Sequence, residues 1–131
     1  MNLKKNRPPK PTDLELAILR ALWRLGPATV RAIQEELNRA EAIGYTTVLK
    51  MLQIMTEKGL VKRDERERSH VYEPACTEQQ TQRQLVRHLL DRAFGGSAQK
   101  LVMQALAAKK ASPEELAEIR KLLDEMEGKT P

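Results

Sequence analysis

Apolar residues recur along this chain at intervals of three and four, and the runs they form are separated by glycine, proline or short polar stretches. That spacing is the α-helical one, about 100° of turn per residue. The first run, Leu14, Ala17, Ile18, Ala21, Leu22 and Leu25, opens behind Thr12 and Glu15, a T-x-x-E capping box, and stops at Gly26-Pro27. Thr29 heads a short second helix, VRAIQEELN, with Val30, Ile33 and Leu37 on one side. A polar link, RAEAIG, leads to a third helix in which Val48, Met51, Leu52 and Met55 share about a third of the circumference, the width of a core-facing stripe. Thr46, Lys50, Gln53 and Glu57 fall on the opposite face, with Thr47 at its edge. Gly59 stands where a left-handed cap belongs, and Lys58 faces the negative end of the helix dipole.

The period then changes. Residues 60–64 (LVKRD) and 69–73 (SHVYE) carry β-branched or aromatic side chains in partial alternation around a polar ERER turn, which predicts a hairpin closed by Pro74. Two helices joined by a short turn, a third with a polar outer face and then a hairpin make a winged helix-turn-helix. Helical spacing resumes afterwards. Thr77 and Gln80 can cap a fourth helix that carries Leu85, Val86, Leu89 and Leu90 to about Ala93, where Phe94-Gly95-Gly96 breaks it. Ser97 starts a fifth, with Leu101, Val102, Ala105 and Leu106 clustered. Ser112-Pro113-Glu114-Glu115 starts a sixth, with Leu116, Ile119, Leu122, Leu123 and Met126 as its stripe.

The expected fold is therefore mostly α. Residues 1–11 form a basic tail, residues 12–75 a winged-helix domain of three helices and a small β-hairpin wing, and residues 76–131 a three-helix C-terminal dimerisation domain. The last three helices are too thin to close a core alone, so their apolar faces need either the N-terminal domain or the same segment of a second chain. A homodimer is favoured, because a two-fold pair of winged helices reads two half-sites about 34 Å, or a multiple, apart. The expected interface comprises Leu85, Leu89, Phe94, Leu101, Val102 and Leu106, then Leu116, Ile119, Leu123 and Met126.

Composition narrows the function. With four aromatic residues in 131, any core must be built from Leu, Ile, Val, Met and Ala. A single cysteine, Cys76, forms neither an internal disulfide nor a metal cluster, so a cytoplasmic setting is the simpler expectation. No run of about 18 apolar residues exists, so no membrane insertion is expected. His70 and His88 have no nucleophile, glycine-rich phosphate loop or metal-ligand spacing beside them; no enzyme, cofactor or metal is expected. The net charge of +5 suits a polyanion, yet Lys4, Lys5, Arg7 and Lys10 supply +4 of it, and residues 11–74 hold ten charges of each sign. Affinity for DNA would thus rest on local placement of cations and on the tail.

A major groove about 12 Å wide admits a helix whose first turns reach base edges while flanking groups hold phosphates. The third helix, with the wing laid against the backbone, fits that role. The alternatives are an ordinary amphipathic helix with a solvated polar face, and a winged-helix module that binds protein without sequence-specific DNA contact.

The strings GYTTVLKMLQIMTEKGLV, PTDLELAILRALW and TVRAIQEEL resemble the BlaI/MecI/CopY family of bacterial repressors, over residues 12 to about 127. The resemblance implies that Thr46, Thr47 and Lys50 face operator DNA, with Tyr45 near the backbone and wing contacts on Arg63, Arg66 or Arg68. Thr29 and Gln53 complete the expected DNA-binding set. Threonine offers a hydroxyl to a base or phosphate and a methyl to thymine, and lysine reaches guanine or phosphate. This chain departs from the family in three places. Ile54 stands where many members have arginine, and there is no C-terminal cysteine cluster of the copper-sensing kind. Members that control β-lactamase genes are cut near an Asn-Phe bond in the fifth helix. The matching stretch here is LVMQALAA, with Gln104-Ala105 at that place, so release by a membrane sensor-protease is left open.

Overall fold

A computed structural model of the protein describes residues 9–129; the greater part of the basic tail lies outside them. The chain runs α1 (Asp13–Leu25), β1 (Ala28–Thr29), α2 (Val30–Asn38), α3 (Tyr45–Lys58), β2 (Val61–Asp64), β3 (Val71–Pro74), α4 (Glu78–Ala93), α5 (Ala98–Ala108) and α6 (Pro113–Met126). It is mostly helical, and its N-terminal part is a winged helix-turn-helix. Two compact units divide inside α4, between Val86 and Arg87. The boundary expected after residue 75 falls at the end of β3, whereas the first unit keeps the opening turns of α4, where Thr81 is buried.

Local chemistry sets the ends of the helices. Thr12 Oγ1 accepts from the Glu15 amide at 3.3 Å, and Glu15 Oε1 accepts from the Thr12 amide at 2.9 Å, so two otherwise orphaned donors at the start of α1 are satisfied reciprocally. The same box recurs at Thr77 with Gln80 and at Ser112 with Glu115. Gly59 ends α3 at φ 81°, ψ 16°, the left-handed conformation in which a Cβ is costly.

In the first unit one face of each helix meets the sheet and its neighbours. Ile18, Leu19 and Leu22 of α1, Ile33 of α2, and Val48, Leu52 and Met55 of α3 form the centre, and Tyr72 of β3 closes it from the sheet side. The expected α3 stripe is thus the buried one, with Met51 at the rim of the cluster. Trp23 is half-buried and its Nε1 donates to the Cys76 carbonyl at 3.1 Å, tying α1 to the segment that enters α4.

The wing differs from a plain hairpin. The sheet has three antiparallel strands in the order β1-β3-β2, with Ala28 opposite Tyr72 and Thr29 opposite Val71. Two residues ahead of α2 therefore pair with the return strand of the wing and fix the hairpin to the helical body. The strands are also shifted from their expected limits: Leu60, Ser69 and His70 lie outside them, and Pro74 is the last residue of β3, opposite Val61. At a strand end a residue without an N–H costs the ladder little.

The second unit holds the remainder of α4 with α5 and α6. Gly95 and Gly96, at φ 56° and 80°, make the turn after α4. None of this unit's described residues is buried. No helix among the described residues is long and apolar enough to cross a membrane.

Candidate nucleic-acid interface

Helix α3 is held at both ends. Before it, Asn38 Oδ1 accepts from the Ile43 amide at 2.7 Å and Gln34 Nε2 donates to the Ile43 carbonyl at 3.2 Å, so the α2–α3 link is pinned by side chains of α2. At its far end, Lys58 Nζ lies 2.8 Å from Glu15 Oε2. The Glu15 side chain is 1% exposed and that of Lys58 is 37% exposed, so the carboxylate is buried and the ammonium partly wet. Burial alone would push the Glu15 carboxyl up, but hydrogen bonds from Lys58 and Thr12 outweigh it and hold the group below its ordinary range. Neither tie is legible in the sequence: local spacing makes Glu15 a cap and Lys58 a dipole partner, and their meeting joins positions 43 residues apart.

With Val48, Leu52 and Met55 buried, the rest of α3 has no freedom of orientation. Thr46, Thr47, Lys50 and Gln53 are all exposed on the other side, and Tyr45 at the helix start is 44% exposed. The first turn contains no acidic residue, and Gly44 supplies no side-chain cap. Ile54, where arginine is common in the family, is half-buried. Thr29 is different from the rest of the expected DNA-facing set. It is half-buried, and its Oγ1 accepts from the Ala32 amide at 3.2 Å, so its hydroxyl caps α2.

The three wing arginines are not equivalent. Arg63 pairs with Glu65 at 2.7 Å. Arg66 grips Asp64 through Nε and Nη2, at 3.0 and 2.6 Å, and holds the Asp64 carboxyl down at about 2. Arg68 is exposed and has no ion pair among the described residues.

In the second unit the expected interface residues are half-buried or exposed. Leu85, which belongs to the first unit, and Phe94, Leu101, Leu116 and Ile119 are half-buried; Leu89, Val102, Leu106, Leu123 and Met126 are exposed, the last by 75%. Gln104 and Ala105 lie exposed within α5.

A three-helix body carrying a β wing, with an outward polar face on the third helix, defines a winged helix-turn-helix protein of the regulator type. The chain belongs to the penicillinase repressor family, which it matches over residues 11–125. It is 41% identical over 63 residues to a protein named Transcriptional regulator BlaI in two strains of Mycobacterium tuberculosis; the match covers 47% of this chain and 46% of that one. The chain thus spans about half the length of these mycobacterial relatives. Against the Penicillinase repressor of Bacillus licheniformis it is 24% identical over 117 residues, 89% of this chain and 91% of that protein. A solution structure of the monomeric form of Bacillus licheniformis BlaI with the blaP half-operator aligns at a TM-score of 0.49 and 23% identity, over 56% of this chain and 89% of that one. The family is one of repressors rather than enzymes.

Proposed function

We propose that the protein is a cytoplasmic transcriptional repressor that binds a pseudo-palindromic operator in double-stranded DNA as a homodimer. Helix α3 enters the major groove of each half-site, and the wing lies along the backbone. The observation that carries this reading is the division of α3 into a buried stripe and an exposed Thr46-Thr47-Lys50-Gln53 face, on a chain of the penicillinase repressor family. Such a face offers donors, acceptors and a methyl-bearing hydroxyl to base edges. Thr29, with its hydroxyl engaged in the cap, sits beside the backbone rather than on the bases. The second unit supports the dimer: α5 and α6 leave Val102, Met103, Leu122, Leu123 and Met126 open, and a copy of the same surface covers them symmetrically. Release by a membrane sensor-protease fits the exposure of Gln104-Ala105.

The test is selection of genomic DNA fragments by the purified protein, with footprinting of the enriched fragment at two salt concentrations. Two symmetric protected half-sites that weaken with salt support the repressor. Lys50→Ala is expected to lower operator affinity by about 1–3 kcal/mol with fold and oligomeric state unchanged. A folded protein that enriches no fragment is a protein-binding module instead.

A further inference from the structure

The pairing of β1 with β3 has a chemical consequence at its edge. Because Thr29 lies opposite Val71, the residues just before Val71 return from the wing tip beside the first turn of α2, while the first turn of α3 approaches from the other side. The space left between them is a cleft of about 450 Å³. Arg31 of α2, Tyr45 of α3, and Arg68, Ser69 and His70 of the wing line it, and Tyr72 is part of its wall.

The lining is one-sided in charge. Two arginines contribute, and no carboxylate does. Arg31 and Arg68 carry no ion pair among the described residues, unlike Arg63 and Arg66 a few positions away. Tyr45, Ser69 and His70 add hydroxyl and imidazole groups, and all five side chains named are exposed and able to move onto a ligand. Planar guanidinium groups match the oxygens of a phosphate in pairs, and hydroxyl donors fill the remaining lone pairs.

We propose that this cleft is a phosphate seat, in which Arg31, Arg68 and His70 together hold one phosphodiester of the DNA backbone beside the groove that α3 enters. The inference rests on the DNA-binding reading above and adds Arg31, Ser69 and His70 to its contacts. Position favours the backbone over a free anion. The cleft lies between the start of α3 and the wing, where the strand flanking an occupied major groove runs. The seat is independent of base sequence and so fixes register and orientation while α3 reads the bases.

The test measures binding by fluorescence anisotropy over a series of salt concentrations, using a duplex enriched by the protein and a scrambled duplex of the same length. Arg31→Ala and Arg68→Ala are each expected to weaken binding to both duplexes by a similar factor, on the order of tenfold, and to make the logarithmic salt dependence shallower by about one. Lys50→Ala should instead weaken the enriched duplex more than the scrambled one. Arg31→Ala with wild-type affinity and salt dependence on both duplexes overturns the proposal. If inorganic phosphate shifts the NMR signals of the His70 ring while the arginine variants keep full DNA affinity, the cleft belongs to a free anion and the DNA seat is again overturned. A wild-type protein that binds neither duplex in a salt-dependent way removes the repressor reading itself, and this inference with it.

Discussion

Among the described residues, those up to Val86 include fourteen buried hydrophobic side chains, seven of them at 0% exposure; those from Arg87 onward include none, and Leu89, Val102, Met103, Leu122, Leu123 and Met126 are open. Both regions are built from amphipathic helices, and all but α3 start on a hydroxyl side-chain cap, so helix formation does not separate them. What separates them is where the apolar stripe goes. In the first unit three stripes converge with a sheet behind them. In the second, α5 and α6 are 11 and 14 residues long, lengths at which an isolated helix is marginal in water, and their stability must come from packing. The first unit therefore closes its own core, whereas the second leaves its apolar stripes open, which is the surface the dimer proposed above would cover.

The largest effects should fall on the closed unit. Leu52 is 0% exposed on the inner face of α3, and Leu52→Ala is expected to cost about 3 kcal/mol, the transfer loss plus a cavity. Chemical denaturation at several protein concentrations checks it: the loss should be the same at each. Leu123→Asp inverts that pattern. Leu123 is 53% exposed within the chain, so the substitution should leave unfolding of the first unit almost unchanged. In the proposed dimer it would bury a charge, so sedimentation should find monomers and circular dichroism a reduced helix content. Persistence of the dimer would place the interface elsewhere.

The sequence made the local features of both units readable and the non-local ones unreadable. The boxes at Thr12, Thr77 and Ser112 and the left-handed Gly59 were legible because each is settled by residues within a turn of one another. The buried face of α3 was legible from its period. The β1 strand was not, since Ala28-Thr29 is only two residues long and alanine has little strand preference; tertiary pairing with Tyr72 and Val71 makes it a strand. That omission also hid the cleft at Arg31, which exists only because of that register. The wing arginines are interchangeable at the level of sequence, since no pattern in R-D-E-R-E-R says which carboxylate each will take.

An intermediate effect tests how α3 is anchored. Glu15 is buried against Lys58, and its depressed carboxyl contributes stability that is present above the ordinary glutamate range and lost as pH falls through the folded value. Glu15→Gln keeps a cap acceptor but loses the charge, and is expected to cost about 2 kcal/mol at neutral pH. Its stability should then fall less steeply than that of the wild type on acidification below about pH 4. Equal acid limbs in the two proteins would show that Glu15 titrates alike in the folded and unfolded chains. Because the pair ties the last turn of α3 to the first of α1, the loss belongs entirely to the first unit and should not alter sedimentation.

The smallest effect separates two cations of the same wing. Asp64 is held at about 2 by Arg66, chiefly through the side-chain hydrogen bonds, so the pair is intact throughout the neutral range and opens only as pH falls toward that value. The Arg66 side chain is 87% exposed and that of Asp64 40%, so the pair is screened by solvent and contributes little to folding. Its effect is on charge: while Asp64 is ionised, Arg66 is already satisfied, and Arg68 is the wing arginine free to meet a phosphate. Asp64→Asn should leave stability unchanged and raise affinity for any duplex by about two- to threefold, with a slightly steeper salt dependence. Arg68→Ala should lower affinity for the same duplexes. If Asp64→Asn changes nothing while Arg68→Ala weakens binding, Arg66 does not reach the backbone even when released, and wing contact is confined to the cleft side of the hairpin.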